Sequence, residues 1–182
     1  MNQFNLPGYN LLTKNRVEKI GGGVTLYISS DIHYIPRPDL DRTGDGCFES
    51  MFVEIISPNH TKNIFVGVLY KAPDANFENF IECSQALFHR VNDENKYCLI
   101  TGDFNLNLLN CDSSNQPQRF LDNVYSASGL PLIHQPTRVT NTSATLIDNI
   151  FSNILPQPKS GVIITDISDH FPIFTTFRYS HS

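Results

Sequence analysis

The stretch 97-YCLITGDFNLNLLN-110 carries the strongest structural signal in the sequence. Its apolar start predicts a buried strand, and the polar residues Gly102, Asp103 and Asn105 follow directly. Gly-Asp is ordinary turn chemistry. Side chains two residues apart nevertheless point the same way in an extended chain. The stretch therefore predicts either a simple turn or a strand that delivers the Asp103 carboxylate and the Asn105 amide to one site.

Strand-like segments dominate the rest of the chain. Each is rich in β-branched or aromatic residues and is bounded by turn-forming residues. The predicted strands cover 23–28, 48–56, 63–70, 97–102, 145–151, 161–165 and 171–177. Residues 64–70 are apolar on both faces, so we expect a central strand that is covered on both sides. Before Gly21 the sequence is loop-like, and no earlier strand is visible.

Two helices are predicted between these strands. After Asp74 or Asn76, either of which can cap a helix, hydrophobic residues recur at helical spacing. One face of this helix carries Phe77, Phe80, Ile81, Ser84, Leu87, Phe88 and Val91. A shorter helix over 117–129 would bury Phe120, Leu121 and Val124 and stop at Gly129. Helices that lie between strands predict a layered α/β sandwich.

The composition indicates one globular domain over residues 1–182. The chain is 40% hydrophobic and 17% charged, with a formal net charge of -5. This balance provides no global basic field for nucleic acid, but it does not exclude an enzyme that holds a cation among carboxylates. No apolar run reaches the ~18 residues that a membrane helix needs. We expect an intracellular protein without a membrane partner.

The four cysteines show no metal-binding pattern. Cys47, Cys83, Cys98 and Cys111 form no C-x-x-C pair and no zinc-type spacing. We therefore expect four reduced, mostly buried thiols.

Three polar clusters lie at the ends of apolar strands. They are residues 102–105, Asp148 within the apolar segment 145–151, and 168–170, a Ser-Asp-His sequence. Tyr70, at the end of the central strand, is a fourth candidate. Singly, each has a structural explanation as a turn, a cap or a strand-end aromatic residue. Asp148 is the hardest to explain in this way, because a buried carboxylate needs a partner.

Together these residue types match metal-assisted phosphodiester hydrolysis. Asp103 and Asp169 can supply the oxygen ligands that Mg²⁺ prefers. Asn105 can orient a water or hold a phosphate oxygen without adding negative charge. His170 can donate a proton or a hydrogen bond to a phosphoryl oxygen, and Asp148 could orient its ring. Tyr70 could donate its phenol hydroxyl to the same phosphate.

The order of these clusters resembles the endonuclease/exonuclease/phosphatase superfamily. The matching motifs are 70-YKAP-73, 102-GDFN-105, 145-TLIDNIF-151 and 168-SDH-170. The segments 21-GGGVTLYI-28 and 48-FESMFVEI-55 are similar to those of the apurinic-type endonuclease domains of non-LTR retrotransposons, of the jockey and CR1 kind. The resemblance covers nearly the whole chain.

The resemblance implies a four-layered α/β sandwich of two mixed sheets flanked by helices. It also implies a Mg²⁺-dependent nuclease, with Mn²⁺ as an alternative ion, that nicks DNA to leave a 3′-hydroxyl. By this resemblance, Asp103 would activate or position water beside Asn105, and Asp169 would help to bind metal. His170 stabilises the transition state, oriented by Asp148, and Tyr70 contacts the scissile phosphate. Thr145 and Ser168 are implied to lie behind these residues or beside the substrate.

One departure from the family concerns the N-terminus. Members begin with a strand that carries an Asn and a second strand that ends in a metal-binding Glu. Residues 1–20 offer no counterpart, because Glu18 lies in the wrong context. We therefore expect a chain that lacks the first strands, with weakened Mg²⁺ binding and low or absent activity.

The sequence is consistent with three functions. The first is a DNA endonuclease, nuclear if it acts on chromosomal DNA, for which a longer parent protein would carry a reverse transcriptase domain. The second is a non-catalytic remnant of such a domain. The third is a phosphatase or phospholipase that acts on inositol phosphates or sphingomyelin. Only 13 residues are Lys or Arg, and no basic cluster favours this third function.

Overall fold

A six-stranded mixed sheet forms the centre of the protein. The computed structural model describes residues 4–14, 23–44, 46–56, 62–111 and 113–176. Its strands are β1 (Tyr9–Lys14), β2 (Val24–Ser29), β3 (Tyr34–Pro36), β4 (Glu49–Ile55), β5 (Ile64–Tyr70), β6 (Tyr97–Asp103), β7 (Leu130–Pro131), β8 (Arg138–Val139), β9 (Ala144–Thr145), β10 (Asp148–Ser152), β11 (Lys159–Val162) and β12 (Ile173–Thr176). Its helices are α1 (Phe77–Asp93) and α2 (Asn115–Ser126), and a 3₁₀ turn spans Leu108–Asn110.

The order of strands in the central sheet is β3-β4-β5-β6-β10-β7. Strands β5 and β6 are parallel, and the other neighbouring pairs are antiparallel. The prediction of an interior position for residues 64–70 is confirmed, since two strands of the sheet lie on one side of β5 and three lie on the other. Gly67 on β5 lies opposite Phe52, and a side chain there would collide with the Phe52 ring.

Both predicted helices pack on one face of this sheet. Asn76 caps α1 by accepting a hydrogen bond from the backbone N–H of Asn79, at 3.0 Å. An aromatic cluster joins the helices to the sheet, with Phe120 of α2 at 5.2 Å from Phe80 of α1 and 5.5 Å from Phe151 of β10, between ring centroids. The predicted inward faces of both helices are therefore confirmed.

The end of α2 differs from the prediction by a small margin. Ser128, not Gly129, takes the left-handed conformation, with φ at 61°. Gly129 follows it and donates its backbone N–H to the carbonyl of Val124, at 2.9 Å. Serine supplies the positive φ here although glycine is the usual residue.

A second layer covers the other face of the sheet. It consists of the antiparallel pair β1–β2, which lies against β4 and β5, and the antiparallel pair β11–β12, of which β12 lies against β10. The predicted α/β sandwich is confirmed. In the described residues its second sheet is formed by two antiparallel pairs rather than by one mixed sheet.

The prediction that no strand precedes residue 23 is wrong. Strand β1 pairs residue for residue with β2, from Tyr9 opposite Ser29 to Lys14 opposite Val24. No residue of β1 is fully buried, so its sequence lacks the apolar signal of a core strand. Glu18 and the Gly21-Gly22 pair lie outside the described residues.

The predicted strand 145–151 is interrupted in the middle. It divides into β9 and β10 because two backbone N–H groups donate to side chains instead of to a neighbouring strand. The N–H of Leu146 donates to Oδ1 of Asn107, at 3.0 Å, and the N–H of Ile147 donates to Oγ1 of Thr137, at 3.2 Å. Strands β11 and β12 are also shorter than the predicted strands 161–165 and 171–177. Phe177 lies outside the described residues.

The expectation of four reduced cysteines is wrong for one pair. Cys47, before β4, and Cys83, on α1, form a disulfide with their Cα atoms 6.5 Å apart. The pairing arises from the packing of α1 beside β4, which sequence spacing does not reveal. Cys98 and Cys111 take no part in this disulfide. Among the described residues, no helix is both long and apolar enough to cross a membrane.

Candidate active site

A row of polar side chains crosses the central sheet on the face away from the helices. Glu49 lies opposite Tyr70, Tyr70 lies beside Asp103, and Asp103 lies opposite Asp148. Directly paired residues on adjacent strands project to the same face. The row therefore brings three of the predicted site residues together, and it adds the buried carboxylate of Glu49, which accepts a hydrogen bond from the backbone N–H of Gly23.

The loop after β6 holds Asp103 and Asn105 through the residue between them. Phe104 is fully buried, with its ring 5.0 Å from Phe151, and its N–H donates to the carbonyl of Ile147 at 2.9 Å. The N–H of Asn105 donates to the Asp103 carboxylate at 2.9 Å. Asn105 has φ at 46°, a conformation that asparagine tolerates better than most residues.

Gly102 is required at this point by the close approach of strand β5. A Cβ atom at residue 102 would collide with the carbonyl oxygen of Leu69. Two hydrogen bonds with Lys71 then fix the following loop. The N–H of Lys71 donates to the Asp103 carbonyl at 3.0 Å, and the carbonyl of Lys71 accepts from the side-chain amide of Asn105 at 2.8 Å. The Gly-Asp-Phe-Asn sequence is thus both a turn and a platform for two polar side chains.

Asp148 and His170 form the predicted pair. Nδ1 of His170 lies 3.1 Å from Oδ2 and 3.3 Å from Oδ1 of Asp148. Ligand atoms of Asp103, Asp148 and His170 all lie within 4.8 Å of one another. The structure therefore assembles three groups that are far apart in the sequence, on β6, on β10 and in the segment before β12.

Thr137 holds the strand that carries Asp148. Its side chain is fully buried, and Oγ1 accepts hydrogen bonds from the N–H groups of Ile147 and Asp148, at 3.2 and 3.0 Å. Its carbonyl accepts from the N–H of Phe171, the neighbour of His170, at 2.6 Å. Thr137 thus connects both members of the Asp148–His170 pair through the backbone.

Asp169 is placed differently from the other predicted residues. Its carboxylate accepts a hydrogen bond from Nε of Arg138 at 2.8 Å and is not among the three clustered groups. This hydrogen bond, together with the charge of Arg138 and of His170, lowers the pKa of the Asp169 carboxyl. Its assignment as a metal ligand stays a prediction.

Burial and the neighbouring groups together determine the pKa of the Asp103 carboxyl. Burial raises the pKa of the Asp103 carboxyl, the Asn105 N–H lowers it, and the nearby Asp148 carboxylate raises it again. His170 and Arg138 lower it by smaller amounts, and the net direction is upward. Burial and the adjacent Asp148 carboxylate thus disfavour the charged form of Asp103 in the absence of a cation.

The remaining predicted residues lie at the edge of this cluster. Oγ of Ser168 accepts a hydrogen bond from the N–H of His170 at 3.1 Å and therefore shapes the histidine turn. Thr145 pairs with Arg138, and its carbonyl accepts the N–H of Thr137 at 2.9 Å. Tyr70 is half-buried at the end of β5. Their functional roles remain predictions.

The sequence did not indicate Thr137, Arg138 or Glu49 as site residues. Thr137 and Arg138 follow Pro136 in a segment without strand or helix periodicity, and only tertiary contacts bring them to Asp148 and Asp169. Glu49 occurs in a predicted strand, but its place in the polar row depends on the register of β4 with β5. That register could have been proposed from the two strand patterns.

The donor set suits a hard divalent cation. Asp103 and Asp148 offer carboxylate oxygens on adjacent strands, and oxygen is the ligand atom that Mg²⁺ prefers. A divalent cation would also offset the repulsion between these two carboxylates. In the part of the chain that the structure describes, no glutamate joins this group.

Comparison with known structures identifies the fold. The endonuclease domain of TRAS1, a telomere-specific non-LTR retrotransposon, superposes with a TM-score of 0.74 over 96% of this chain and 82% of that domain, at 15% identity. An endonuclease/exonuclease/phosphatase family protein from Leptotrichia buccalis gives a TM-score of 0.67, with 94% and 72% of the two chains covered, at 16% identity. The chain has the endonuclease/exonuclease/phosphatase fold. The resemblance inferred from the sequence motifs is confirmed at this level.

The same fold occurs in a DNA-processing phosphatase. The 3′ phosphatase NExo from Neisseria, whose structure contains a product DNA hairpin, gives a TM-score of 0.63 over 98% of this chain and 86% of that one, at 18% identity. No protein-family model matches the sequence, and no curated protein sequence matches it significantly. The endonuclease/exonuclease/phosphatase fold thus includes more than one kind of phosphoester hydrolysis.

Proposed function

We propose that this chain is a divalent-metal-dependent DNA endonuclease. The observation that carries the proposal is the cluster of Asp103, Asp148 and His170, with the histidine ring held by Asp148 at 3.1 Å. It is supported by the similarity to the TRAS1 endonuclease domain. Phosphodiester hydrolysis needs a group that directs water and a group that stabilises phosphoryl charge, and this cluster provides both.

Asp103 and Asn105 serve the attacking side of the reaction. Asp103 accepts a proton from water as the water oxygen forms a bond to phosphorus. The P–O3′ bond breaks, and the departing 3′ oxygen takes a proton from solvent to become a hydroxyl. Asn105, whose carboxamide is oriented by Lys71, donates a hydrogen bond to a phosphoryl oxygen or to the water without adding repulsive charge.

His170 serves the phosphoryl oxygens. Nδ1 of His170 faces the Asp148 carboxylate at 3.1 Å, so Nε2 is the atom available to the phosphate. Asp148 fixes the ring orientation, as the acid does in a catalytic triad. Tyr70 contributes its phenol hydroxyl from the neighbouring strand, and Ser168 and Thr145 support the two loops.

Asp103 and Asp148 would hold the metal ion, and Asp169 joins them if Arg138 releases its carboxylate. Mg²⁺, or Mn²⁺ in its place, supplies charge stabilisation for the phosphoryl group when it is bound. If the substrate is chromosomal DNA, the protein acts in the nucleus, where a reverse transcriptase domain of a longer parent protein would use the 3′-hydroxyl.

A second candidate is a domain with weakened catalysis. The specific observation in its favour is that no glutamate joins the metal-binding group in the described residues, while Arg138 occupies Asp169. Both features reduce the negative charge available to a cation. The similarity to a 3′ phosphatase supports a third candidate, a DNA phosphomonoesterase.

Nicking of supercoiled plasmid and release of phosphate from an oligonucleotide together distinguish these three candidates. The purified chain in Mg²⁺ should convert the plasmid to relaxed circles, EDTA should prevent this, and Asp103→Asn should abolish it. Asp31→Asn, which changes an exposed carboxylate in the turn after β2, is the matched control. Inorganic phosphate released from a 3′-phosphorylated oligonucleotide, without nicking, would support the phosphatase. Neither product would support the weakened domain.

A further inference from the structure

Two isoleucines on the histidine loop project into solvent beside the candidate active site. The histidine loop is the segment 164–171, which connects β11 to β12 and contains His170. Ile167 is 90% exposed and Ile164 is 83% exposed. Large apolar side chains that are exposed together commonly mark a binding surface, and the proposed reaction does not use these two.

Backbone hydrogen bonds hold the histidine loop in place at both ends. The N–H of Ile163 donates to the carbonyl of Pro172 at 2.8 Å, which closes the base of the loop. The N–H of Val139 donates to the carbonyl of Asp169 at 2.9 Å, which ties the loop to the β8–β9 pair. Near its tip, the N–H of Ile167 donates to Oγ1 of Thr165 at 3.3 Å. The isoleucines are thus presented by an anchored loop, which reduces the ordering cost of binding.

The isoleucines lie within reach of a substrate bound at His170. Ile167 precedes His170 by only a few positions, so their Cα atoms are at most about 10 Å apart. Base pairs in DNA are spaced about 3.4 Å along the helix. Ile167 therefore lies on the same short loop as His170, within a few base steps of a phosphate that His170 contacts.

We propose that Ile164 and Ile167 form an apolar contact with the bases that flank the scissile phosphate. This inference rests on the proposed DNA endonuclease function. Isoleucine is one of the side chains that proteins insert between base steps, which unstacks them and bends the duplex. The isoleucines would hold the strand in a bent conformation while His170 and Asp103 act on its phosphate.

The charges on the histidine loop favour bases over the phosphate backbone. Asp166 and Asp169 are exposed carboxylates, and Arg138 pairs with the second of them. Carboxylates repel a phosphate backbone, so the loop is unsuited to run along it. A small phosphate ester offers no apolar surface for two isoleucines. Duplex DNA offers base faces and sugars at the required distance.

The experiment uses duplex oligonucleotides that carry 2-aminopurine, whose fluorescence rises on unstacking. The cut site on a duplex is first mapped with the unaltered chain, and 2-aminopurine is placed beside it. Binding is then measured in Mg²⁺ with His170→Ala, which slows cutting so that the duplex stays intact, and with the same protein carrying Ile164→Ser and Ile167→Ser. Leu155→Ser is the matched control, because Leu155 is 72% exposed and follows the opposite end of β10.

We expect the two serine substitutions to remove the fluorescence increase and to weaken duplex binding about tenfold for each side chain. Leu155→Ser should change neither, and thermal midpoints should agree among all these proteins. If the unaltered chain cuts DNA but the serine variant binds and unstacks it equally, this inference fails and the proposed function stands. If the unaltered chain neither binds nor cuts DNA, both fail. Self-association that is lost in the serine variant, with DNA binding unchanged, would assign the isoleucines to a protein interface and overturn the inference.

Discussion

Asp103 and Asp148 lie directly opposite each other on the antiparallel strands β6 and β10. Like charges in opposed positions of a sheet are destabilising, so this pairing is unfavourable for the fold alone. His170 contacts one of the two carboxylates, and a cation between them would neutralise the other. The strand pairing itself therefore creates a site with a need for positive charge.

Mg²⁺ should raise the thermal stability of the protein. At a concentration of 100 times the dissociation constant, a ligand of the folded state adds about 2.7 kcal/mol to the free energy of unfolding. Asp103→Asn removes one carboxylate, so the Mg²⁺-dependent rise in melting temperature should be lost. Asp31→Asn, at an exposed turn, should keep the full rise. Equal rises in both variants would place the ion elsewhere.

Thr137→Val should destabilise the protein although it preserves side-chain volume. The substitution leaves the N–H groups of Ile147 and Asp148 without their acceptor, and an unsatisfied buried donor costs about 1–3 kcal/mol. Urea unfolding should show a loss of this size. Thr25→Val, on the exposed side of β2, should change the free energy of unfolding by less than about 0.5 kcal/mol. An unchanged stability for Thr137→Val would mean that these donors have other partners.

Stability should fall in acid because of Glu54. This buried carboxylate accepts hydrogen bonds from Lys96, Asn63 and Arg37, at 2.7, 2.6 and 3.1 Å. Burial raises the pKa of Glu54, but the three donors and the lysine charge together lower it below its ordinary value. A lowered pKa in the folded state adds stability that is complete above the unfolded pKa, about 4.3, and is lost as the pH falls through the folded pKa.

The free energy of unfolding should therefore decline between about pH 5 and pH 3. Glu54→Gln should be less stable at neutral pH and should decline less steeply, because its side chain does not titrate. Glu82→Gln, an exposed position on α1, should follow the unaltered protein. An acid decline that is identical in Glu54→Gln would assign the effect to other carboxylates.

The elements that could be predicted from the sequence are those with a strong local pattern. Helix α1 has a continuous apolar face and an Asn76 cap, and β5 is apolar on both sides, so both were located correctly. Strand β1 was missed because it lies half-exposed and, among the described residues, pairs with β2 alone. Its position depends on a partner rather than on its own residues.

The candidate site likewise contains residues that the sequence indicated and residues that only the fold brings there. Asp103, Asp148 and His170 lie in short motifs whose order was informative, and the structure brings them within 4.8 Å of one another. The contacts of Thr137 and the pairing of Asp169 with Arg138 depend on how the β8–β9 pair folds over the histidine loop. No spacing in the sequence encodes that contact.

The single-turnover rate of cleavage of an end-labelled duplex in Mg²⁺ reports directly on the Asp148–His170 pair. It should be measured for the unaltered chain, Asp148→Asn, His170→Ala and the double variant, with His89→Ala, an exposed residue of α1, as control. Each single substitution should slow cleavage roughly 10²–10⁴-fold. Because the two residues act as one unit, the double variant should be about as slow as the slower single variant. Cleavage that is undiminished in His170→Ala, or losses that multiply in the double variant, would mean that Asp148 and His170 are not a catalytic pair.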